Sequence, residues 1–349
     1  MSDRKTKIAV IAVEDREVLL AVAEGSTRAA KRGGRSLFTY ETVSEPIRIP
    51  RSGNHYDHLR DGGRGFTDAV LLPLVADFID RLGSEPDIIG ISTFGTIDPA
   101  TNILRHTGGQ SEGADKEVRR DVLDIAGSLK RQYGIACPVI ADNDATTAAF
   151  GEYLYGAGSR DKSKGDQAFA FAWAGRGLNA GFVIDGRPWQ GRLHPEMGHL
   201  PARRFPDDPH EGNCGSHKDC LTGLAGLRAF EQRAKRTKWT RAQSLDATAY
   251  YIAQLCTALT FTVAPTRICV GGLSFRSDFG SELFGKVMKH YRVFVADYPG
   301  YSDEKVARNV IIPSQLGDQA SLLGVMEIAR MRVQPDTDLQ MGDVPRAAI

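Results

Sequence analysis

Apolar and polar positions alternate with two different periods along this chain of 349 residues. Short runs rich in β-branched and aromatic residues predict strands, and a similar run leads into Asn143. The predicted strands are residues 8–13, 18–23, 87–93, 168–174, 180–184, 268–270 and 310–312. Four charged residues separate the first two runs, which indicates a hairpin.

Longer stretches place apolar residues at helical spacing, and glycine closes one of them. The predicted helices are residues 66–82, 119–133, 145–158, 247–263, 282–294 and 319–331. Because strands and helices alternate in both halves, the predicted fold class is α/β. The polar segment GAGSRDKSKG predicts a boundary between an N-terminal domain, 1–156, and a C-terminal domain, 157–333. Residues 334–349 show no periodicity and are predicted to form a disordered tail.

Composition excludes several classes of protein. The chain is 42% hydrophobic and 25% charged, with a net charge of +1, so no overall field attracts nucleic acid or an anionic membrane. No apolar run is long enough to span a membrane, and charges interrupt the apolar N-terminal stretch, unlike in a signal peptide. Five cysteines, an odd number, argue against a disulfide scaffold. We expect a cytoplasmic protein without nucleic-acid or membrane partners.

Candidate metal chemistry is concentrated between residues 194 and 220, which hold four of the eight histidines and two of the five cysteines. Cys214, His217 and Cys220 have the spacing C-x2-H-x2-C, and His199 precedes them. Two thiolates and two imidazoles form a tetrahedral zinc site, and four protein ligands leave no position for water, so we predict a structural zinc. His210 is an alternative fourth ligand. The other interpretation is a surface loop that carries these residues without a metal.

Several motifs occur in the order seen in a known family. They are HPEMGHL followed by C-x2-H-x2-CLTGLAG, and also IGISTFGTIDP, ADNDATTAAFGEY, CVGGLS and LGDQASLLGVMEIA. Together they resemble the ROK sugar kinases, in particular their fructokinase-like branch. The resemblance implies a two-domain actin/hexokinase/Hsp70-like (ribonuclease H-like) fold with a zinc-binding loop. It also implies a homodimer with a small-molecule sugar as substrate.

The resemblance assigns roles to individual residues. Asp144 is implied to be the general base that takes the proton of a primary sugar hydroxyl as that hydroxyl attacks the γ-phosphate of ATP. The alternative for Asp144 is an N-cap of the following helix. The residues implied to bind sugar are Asn143, Glu196, His199 and Gly95. Those implied to lie against the nucleotide are Gly175, Gly177, Gly181, Gly271 and Gly272.

Three segments depart from the family pattern. The first phosphate hairpin of the family carries Asp-x-Gly-Gly-Thr, with the aspartate ordering magnesium and the glycines admitting phosphate. Here the residues at the positions of that aspartate, the two glycines and the threonine are Ala12, Glu14, Asp15 and Arg16. The second phosphate loop, AGRGLNAG, gains Arg176. Thr222 replaces a sugar-binding glutamate of the family.

Two functions therefore remain. The first is a divergent ATP-dependent hexose kinase, fructose-like in substrate and dependent on magnesium-ATP, in which Arg16 and Arg176 bind phosphates directly. The alternative is a sugar-binding pseudokinase, or a non-kinase sugar enzyme, that has lost ATP binding. In that case Glu14 and Asp15 would pair with Arg176 and occupy the space of the triphosphate.

Overall fold

The structure of the chain is a computed structural model that describes residues 5–29, 36–50, 67–98, 100–105, 122–158, 168–296, 298 and 300–334. The described residues form two compact units. The first comprises those numbered up to 105, 122–147 and 321–334, and the second comprises 148–158 and those from 168 to 320. The predicted tail lies outside the described residues, apart from Gln334.

Fourteen strands are present among the described residues. They are β1 (Thr6–Val13), β2 (Glu17–Ala29), β3 (Ser36–Val43), β4 (Ile47–Pro50), β5 (Ile88–Thr93), β6 (Thr96–Asp98), β7 (Ile103–Arg105), β8 (Val122–Asp124), β9 (Val139–Asn143), β10 (Ala168–Ala174), β11 (Leu178–Ile184), β12 (Arg187–Pro188), β13 (Arg267–Gly271) and β14 (Ile311–Pro313).

Nine α-helices connect or follow the strands in the same part of the chain. They are α1 (Leu72–Arg81), α2 (Ile125–Tyr133), α3 (Asp144–Tyr155), α4 (Leu221–Ala225), α5 (Leu227–Arg236), α6 (Arg241–Thr262), α7 (Gly280–Val295), α8 (Glu304–Val310) and α9 (Ala320–Val333). A π-helical turn, Thr67–Leu71, precedes α1. No helix among the described residues is long and apolar enough to cross a bilayer.

The main sheet of the first unit has the order β3-β2-β1-β5-β9, and β4 also pairs with β2. Strand β1 is antiparallel to β2 and parallel to β5, which in turn is parallel to β9. All six residues of β5 are buried, as expected for a central parallel strand with both faces covered. The predicted hairpin of β1 and β2 is thus confirmed.

The second unit repeats this arrangement with the strand order β12-β11-β10-β13-β14. Strand β10 is antiparallel to β11 and parallel to β13, and β13 is parallel to β14. In each unit the leading strand therefore has its hairpin partner on one side and two parallel strands on the other. The C-terminal ends of the parallel strands are where ligands bind in open α/β sheets.

A small antiparallel sheet, β6-β7-β8, corrects one sequence prediction. Residues 119–133 were predicted to be helical, but α2 begins only at Ile125, because Val122–Asp124 pairs with β7. The Asp124 carboxylate accepts a hydrogen bond from the amide of Gly127 at 2.8 Å, which caps the helix. Gly134, with φ of 72°, ends it in the left-handed conformation.

The closing helix α9 returns to the first unit. A Cβ atom on Gly90 of β5 would lie 3.0 Å from the carbonyl oxygen of Val325, so this glycine admits α9 against the sheet. The predicted domain limits, 1–156 and 157–333, differ from the compact units in two places. The chain passes from the first unit to the second after residue 147, within α3. From residue 321, helix α9 belongs to the first unit.

A buried ion pair anchors the long segment between His199 and α4 to the helices of the second unit. Two of the three guanidinium nitrogens of Arg233 contact Asp208, with Nε–Oδ1 at 2.9 Å and Nη2–Oδ2 at 2.7 Å. The Tyr251 hydroxyl donates to Oδ2 at 2.7 Å. Burial raises the pKa of the Asp208 carboxyl, but the hydrogen bonds and charge of Arg233 outweigh that effect and lower it. Asp208 is therefore held as a carboxylate by Arg233, which lies on α5, and by Tyr251, which lies on α6.

Replacement of Asp208 by asparagine should strongly destabilise the protein. The change keeps the shape of the side chain but leaves the fully buried guanidinium of Arg233 without its countercharge. We expect the free energy of unfolding to fall by about 3 kcal/mol or more. Urea unfolding followed by circular dichroism measures the change.

The matched control is Asp207→Asn, which removes the same charge from the neighbouring, exposed position. We expect it to change the unfolding free energy by less than about 0.5 kcal/mol. Equal effects of the two variants would contradict the role of the buried pair.

Candidate functional site

The four predicted metal ligands come together in the second unit. One ligand atom from each of His199, Cys214, His217 and Cys220 lies within 4.8 Å of the others. His210, the alternative ligand, is not part of this group. The two cysteines are buried, His199 is half-buried and His217 is exposed.

Local backbone pairing brings the ligands together. The amide of Lys218 donates to the carbonyl of Cys214 at 3.0 Å, which closes the turn that carries His217. The amide of Leu221 donates to the carbonyl of Leu200 at 3.0 Å, which places the chain after His199 beside Cys220. These two backbone contacts thus bring the four side chains together in one cluster.

The distances between ligand atoms fit a tetrahedral metal. The Nδ1 atom of His199 lies 3.6 Å from Cys214 Sγ, 3.8 Å from Cys220 Sγ and 3.3 Å from His217 Nδ1. Cys214 Sγ lies 3.7 Å from His217 Nδ1. Metal–sulfur bonds of about 2.3 Å and metal–nitrogen bonds of about 2.0 Å imply tetrahedral edges of roughly 3.3 to 3.8 Å. The side chains are therefore spaced to hold one ion between them.

Of the two cluster thiols, Cys214 is the one whose protonation agrees with this chemistry, because the hydrogen bond between the two lowers the pKa of Cys214 and raises that of Cys220. A hydrogen bond with Cys220 outweighs burial and lowers the pKa of the Cys214 thiol, and His199 adds to the effect. The thiolate is the form of cysteine that binds metals. By contrast, burial raises the pKa of Cys256 to about 12, and burial with nearby Glu85 raises that of Cys137 to about 12. These two cysteines are therefore held as thiols.

His199 also connects the metal cluster to Glu196. Its Nδ1 atom faces the thiols, whereas its Nε2 atom lies 3.8 Å from Glu196 Oε2. The same carboxylate oxygen accepts a hydrogen bond from Asn179 Nδ2 at 3.3 Å. Glu196 and His199, both predicted to bind substrate, thus lie side by side, and Asn179 of β11 orients the carboxylate.

His194 is a further member of this group that sequence reasoning did not assign. Its Nε2 atom lies 3.6 Å from Glu196 Oε1, and its side chain is fully buried. Burial lowers the pKa of His194 to about 4, so the imidazole is neutral near pH 7. Its position two residues before Glu196 was the available signal, but only the structure shows that it turns inward.

Asp144, Asn143 and Gly95 are brought together in the first unit. Asn143 Nδ2 donates to the carbonyl of Gly95 at 3.2 Å, and Asn143 Oδ1 accepts from the amide of Ala145 at 3.0 Å. Asn143 therefore shares in capping α3. Asp144 is half-buried at the first position of that helix, where its Oδ1 also accepts from Ala145 at 2.8 Å. Because α3 begins at Asp144, this residue lies inside the helix and is not its N-cap, and Asn143 takes the capping position before it.

Four of the five predicted nucleotide-side glycines lie at two neighbouring turns. Gly175 and Gly177 form the turn between β10 and β11, joined by a 3.0 Å hydrogen bond between the amide of the first and the carbonyl of the second. Gly271 is the last residue of β13, and Gly272 follows it. A Cβ atom on Gly272, whose φ is 95°, would lie 2.6 Å from the carbonyl oxygen of Ala174. The two turns therefore pack directly on one another.

Gly181, the fifth, lies within β11 opposite Phe171 and outside the turn. Arg176 is half-buried at the tip of the turn.

The first hairpin keeps regular strand geometry despite its unusual residues. Ala12 pairs with Leu19 across the hairpin and with Ser92 of β5. Glu14 is buried, and its carboxylate accepts a hydrogen bond from the hydroxyl of Ser321 in the first turn of α9. A helix N-terminus favours a negative charge. Asp15 is half-buried and Arg16 is exposed.

Comparison with known proteins identifies the family to which this arrangement belongs. The model described as "ROK family" matches residues 64–332. A Bacillus subtilis relative is 31% identical over 257 residues, which are 71% of this chain and 80% of that protein. A fructokinase from Zymomonas mobilis is 32% identical over 218 residues, 59% of this chain and 66% of its own.

Solved structures agree with the fold. A ROK family glucokinase from Streptomyces griseus in complex with glucose and AMPPNP superposes with a TM-score of 0.62 at 17% identity, covering 94% of this chain and all of that one. The fold and the His/Cys cluster thus define a protein of two α/β domains of the hexokinase type. The chain belongs to the ROK family.

Loss of either thiol should abolish metal binding. We expect Cys214→Ser, Cys220→Ser and His217→Ala to reduce bound divalent metal from about one ion per chain to near zero, because each removes one of four ligands. Inductively coupled plasma mass spectrometry of the purified variants measures the content.

Two controls separate the cluster from its neighbours. Cys137→Ser and His210→Ala should retain the ion, since neither residue belongs to the group. Loss of metal in His210→Ala would instead identify His210 as a ligand.

Proposed function

We propose that this protein is an ATP-dependent hexose kinase, fructose-like in substrate, that phosphorylates a primary sugar hydroxyl. The observation that supports this most directly is the position of His199 between the metal-ligand cluster and Glu196. Two ROK relatives, the Zymomonas mobilis fructokinase and the Streptomyces griseus glucokinase, act on hexoses according to their names.

The proposed metal is zinc in a structural role. Two thiolates and two imidazoles are the donors that Zn²⁺ prefers, and four protein ligands leave no coordination position for water or substrate. Bound there, the ion would fix the ring of His199 and hold the loop. It would take no part in the chemical step.

The sugar-binding wall would consist of Glu196 and His199. The Glu196 carboxylate can accept hydrogen bonds from two ring hydroxyls, and Nε2 of a metal-bound His199 has a fixed direction. Neutral His194 adds no charge beside Glu196, so the carboxylate stays available as an acceptor. Asn143, whose side chain donates to the carbonyl of Gly95, is also proposed to bind sugar hydroxyls.

Asp144 would act as the general base. Its carboxylate would take the proton of the primary hydroxyl while the hydroxyl oxygen attacks the γ-phosphorus of ATP and ADP leaves. General-base catalysis of this kind contributes about 10²- to 10⁴-fold in rate. The glycine turns at 175–177 and 271–272 would bring backbone amides to the nucleotide.

Replacement of Asp144 by asparagine should lower kcat by about 10² to 10⁴, because the amide cannot accept the proton. Sugar binding, measured by calorimetry, should persist, since the amide can still form hydrogen bonds. Sugar-dependent ADP release, assayed with fructose, glucose and mannose, measures the rate.

Asp185→Asn is the control for this substitution. Asp185 lies in the turn after β11, with φ of 50°, a conformation that asparagine also adopts. Its turnover should match that of the unaltered protein. Undiminished turnover in Asp144→Asn would refute the assignment of the base.

A second candidate is a sugar-binding protein that does not transfer phosphate. It is favoured by the first hairpin, where Ala12 replaces an aspartate and the Glu14 carboxylate is directed to Ser321 on α9. A negative side chain in place of a glycine opposes the approach of a triphosphate.

Calorimetric titration with magnesium-ATP and with fructose distinguishes the two functions. The kinase should bind both ligands and release ADP only when sugar is present. Binding of fructose without any heat from magnesium-ATP would favour the second candidate.

A homodimer is also proposed from the family resemblance. Size-exclusion chromatography with light scattering would give twice the 38.0 kDa chain mass if it forms.

A further inference from the structure

We propose that Thr222 is a positioning residue that couples the loop of the predicted metal ligands to the turn between β10 and β11, here called the second glycine loop, residues 175–177. Thr222 occupies the position at which the resembling family has a sugar-binding glutamate. The link to nucleotide binding rests on the proposed kinase function, whereas the coupling itself does not.

The first contact is a side-chain hydrogen bond. Thr222 follows the metal ligand Cys220 by two positions, in the first turn of α4. Its Oγ1 atom accepts a hydrogen bond from the amide of Leu178 at 2.7 Å. Leu178 is buried and begins β11, directly after Gly177. The hydroxyl therefore holds the peptide on which the second glycine loop ends.

The second contact is at the carbonyl group of Leu178. A Cβ atom on Gly198, next to the ligand His199, would lie 1.7 Å from the carbonyl oxygen of Leu178 and 3.3 Å from Cβ of Thr222. Only glycine fits so close to another backbone. Leu178 is thus held at its amide by Thr222 and packed at its carbonyl against Gly198.

The third contact lies beyond α4, at the start of α5. The amide of Leu227 donates to the carbonyl of Gly175 at 2.9 Å. A Cβ atom on Gly226 would lie 2.1 Å from the carbonyl oxygen of Arg176. Residues 198–227, which include the four predicted metal ligands, therefore contact the second glycine loop at both of its ends.

The chemistry of threonine explains what the departure achieves. A hydroxyl on Cβ lies close to its own backbone and can accept from an adjacent peptide, whereas the carboxylate of a glutamate lies two bonds further out. The chain therefore gives up a carboxylate at this position and gains an anchor for the second glycine loop. Through this anchor, order in the loop of the predicted metal ligands sets the geometry of the glycine turn.

The test is hydrogen exchange of the Leu178 amide in the metal-loaded protein, resolved to single residues by mass spectrometry. Thr222→Val keeps the shape of the side chain but removes the acceptor. We expect the amide to exchange about fivefold faster, the effect of losing one ordinary hydrogen bond. Thr222→Ser keeps the hydroxyl and should restore the original rate. Unchanged exchange in Thr222→Val would overturn the proposal.

Thr257→Val is the matched control. Thr257 is also half-buried, but its hydroxyl donates to the carbonyl of Ala253 within α6, so exchange at Leu178 should not change. Metal content, measured in parallel, should be equal in all variants. Loss of metal in Thr222→Val would contradict a positioning role, since it would place Thr222 in the metal site itself.

Kinetics separate positioning from direct sugar contact and from failure of the proposed function. With kinase activity, Thr222→Val should raise the KM for ATP and leave the KM for sugar unchanged. A raised sugar KM alone would overturn the proposal and place Thr222 in the sugar wall. If the unaltered protein shows no turnover, the exchange experiment still decides the coupling.

Discussion

The imidazole of His199 joins two parts of the second unit, and the proposed sugar chemistry depends on this junction. One ring nitrogen faces two thiols and a second imidazole, and the other faces Glu196. Because the ring is rigid, fixing one nitrogen on a metal fixes the direction of the other. A loop with little regular structure can in this way present a carboxylate and an N–H group at defined positions.

A buried ion pair is the second constraint on the same loop. Asp208 and Arg233 are both inaccessible to solvent, and Tyr251 completes the group. Replacing a buried ion pair by apolar groups often costs nothing, but removing one partner leaves an uncompensated charge. We interpret this pair as specifying where the loop docks. The His/Cys cluster and the ion pair thus fix the positions of different stretches of this loop.

Departures from the family pattern occur in side chains, whereas the backbone is regular. Residues Thr6–Val13 of the first hairpin are all paired, although the resemblance places Ala12 and Glu14 where the family orders magnesium and admits phosphate. Thr222 likewise exchanges a carboxylate for a backbone contact. Fold and activity are separable in this way because packing requires apolar alternation, whereas phosphoryl transfer requires particular groups at a few positions.

The sequence by itself determined the features that depend on near neighbours. Apolar runs separated by charged residues predicted the first hairpin, and the spacing C-x2-H-x2-C with His199 predicted the ligand set. The motif resemblance predicted the family. Asn143 and Gly95, assigned separately, do lie in contact.

Only the tertiary structure decided the features that depend on distant pairs. Helix α2 begins late because β8 pairs with β7, and α9 packs on the first unit rather than the second. Asp208 meets Arg233 across 25 positions of sequence, and Thr222 meets Leu178 across 44. Periodicity and spacing report which faces are buried and which ligands are close along the chain. They carry no information about which buried polar groups will meet, because that depends on how separate elements pack in three dimensions.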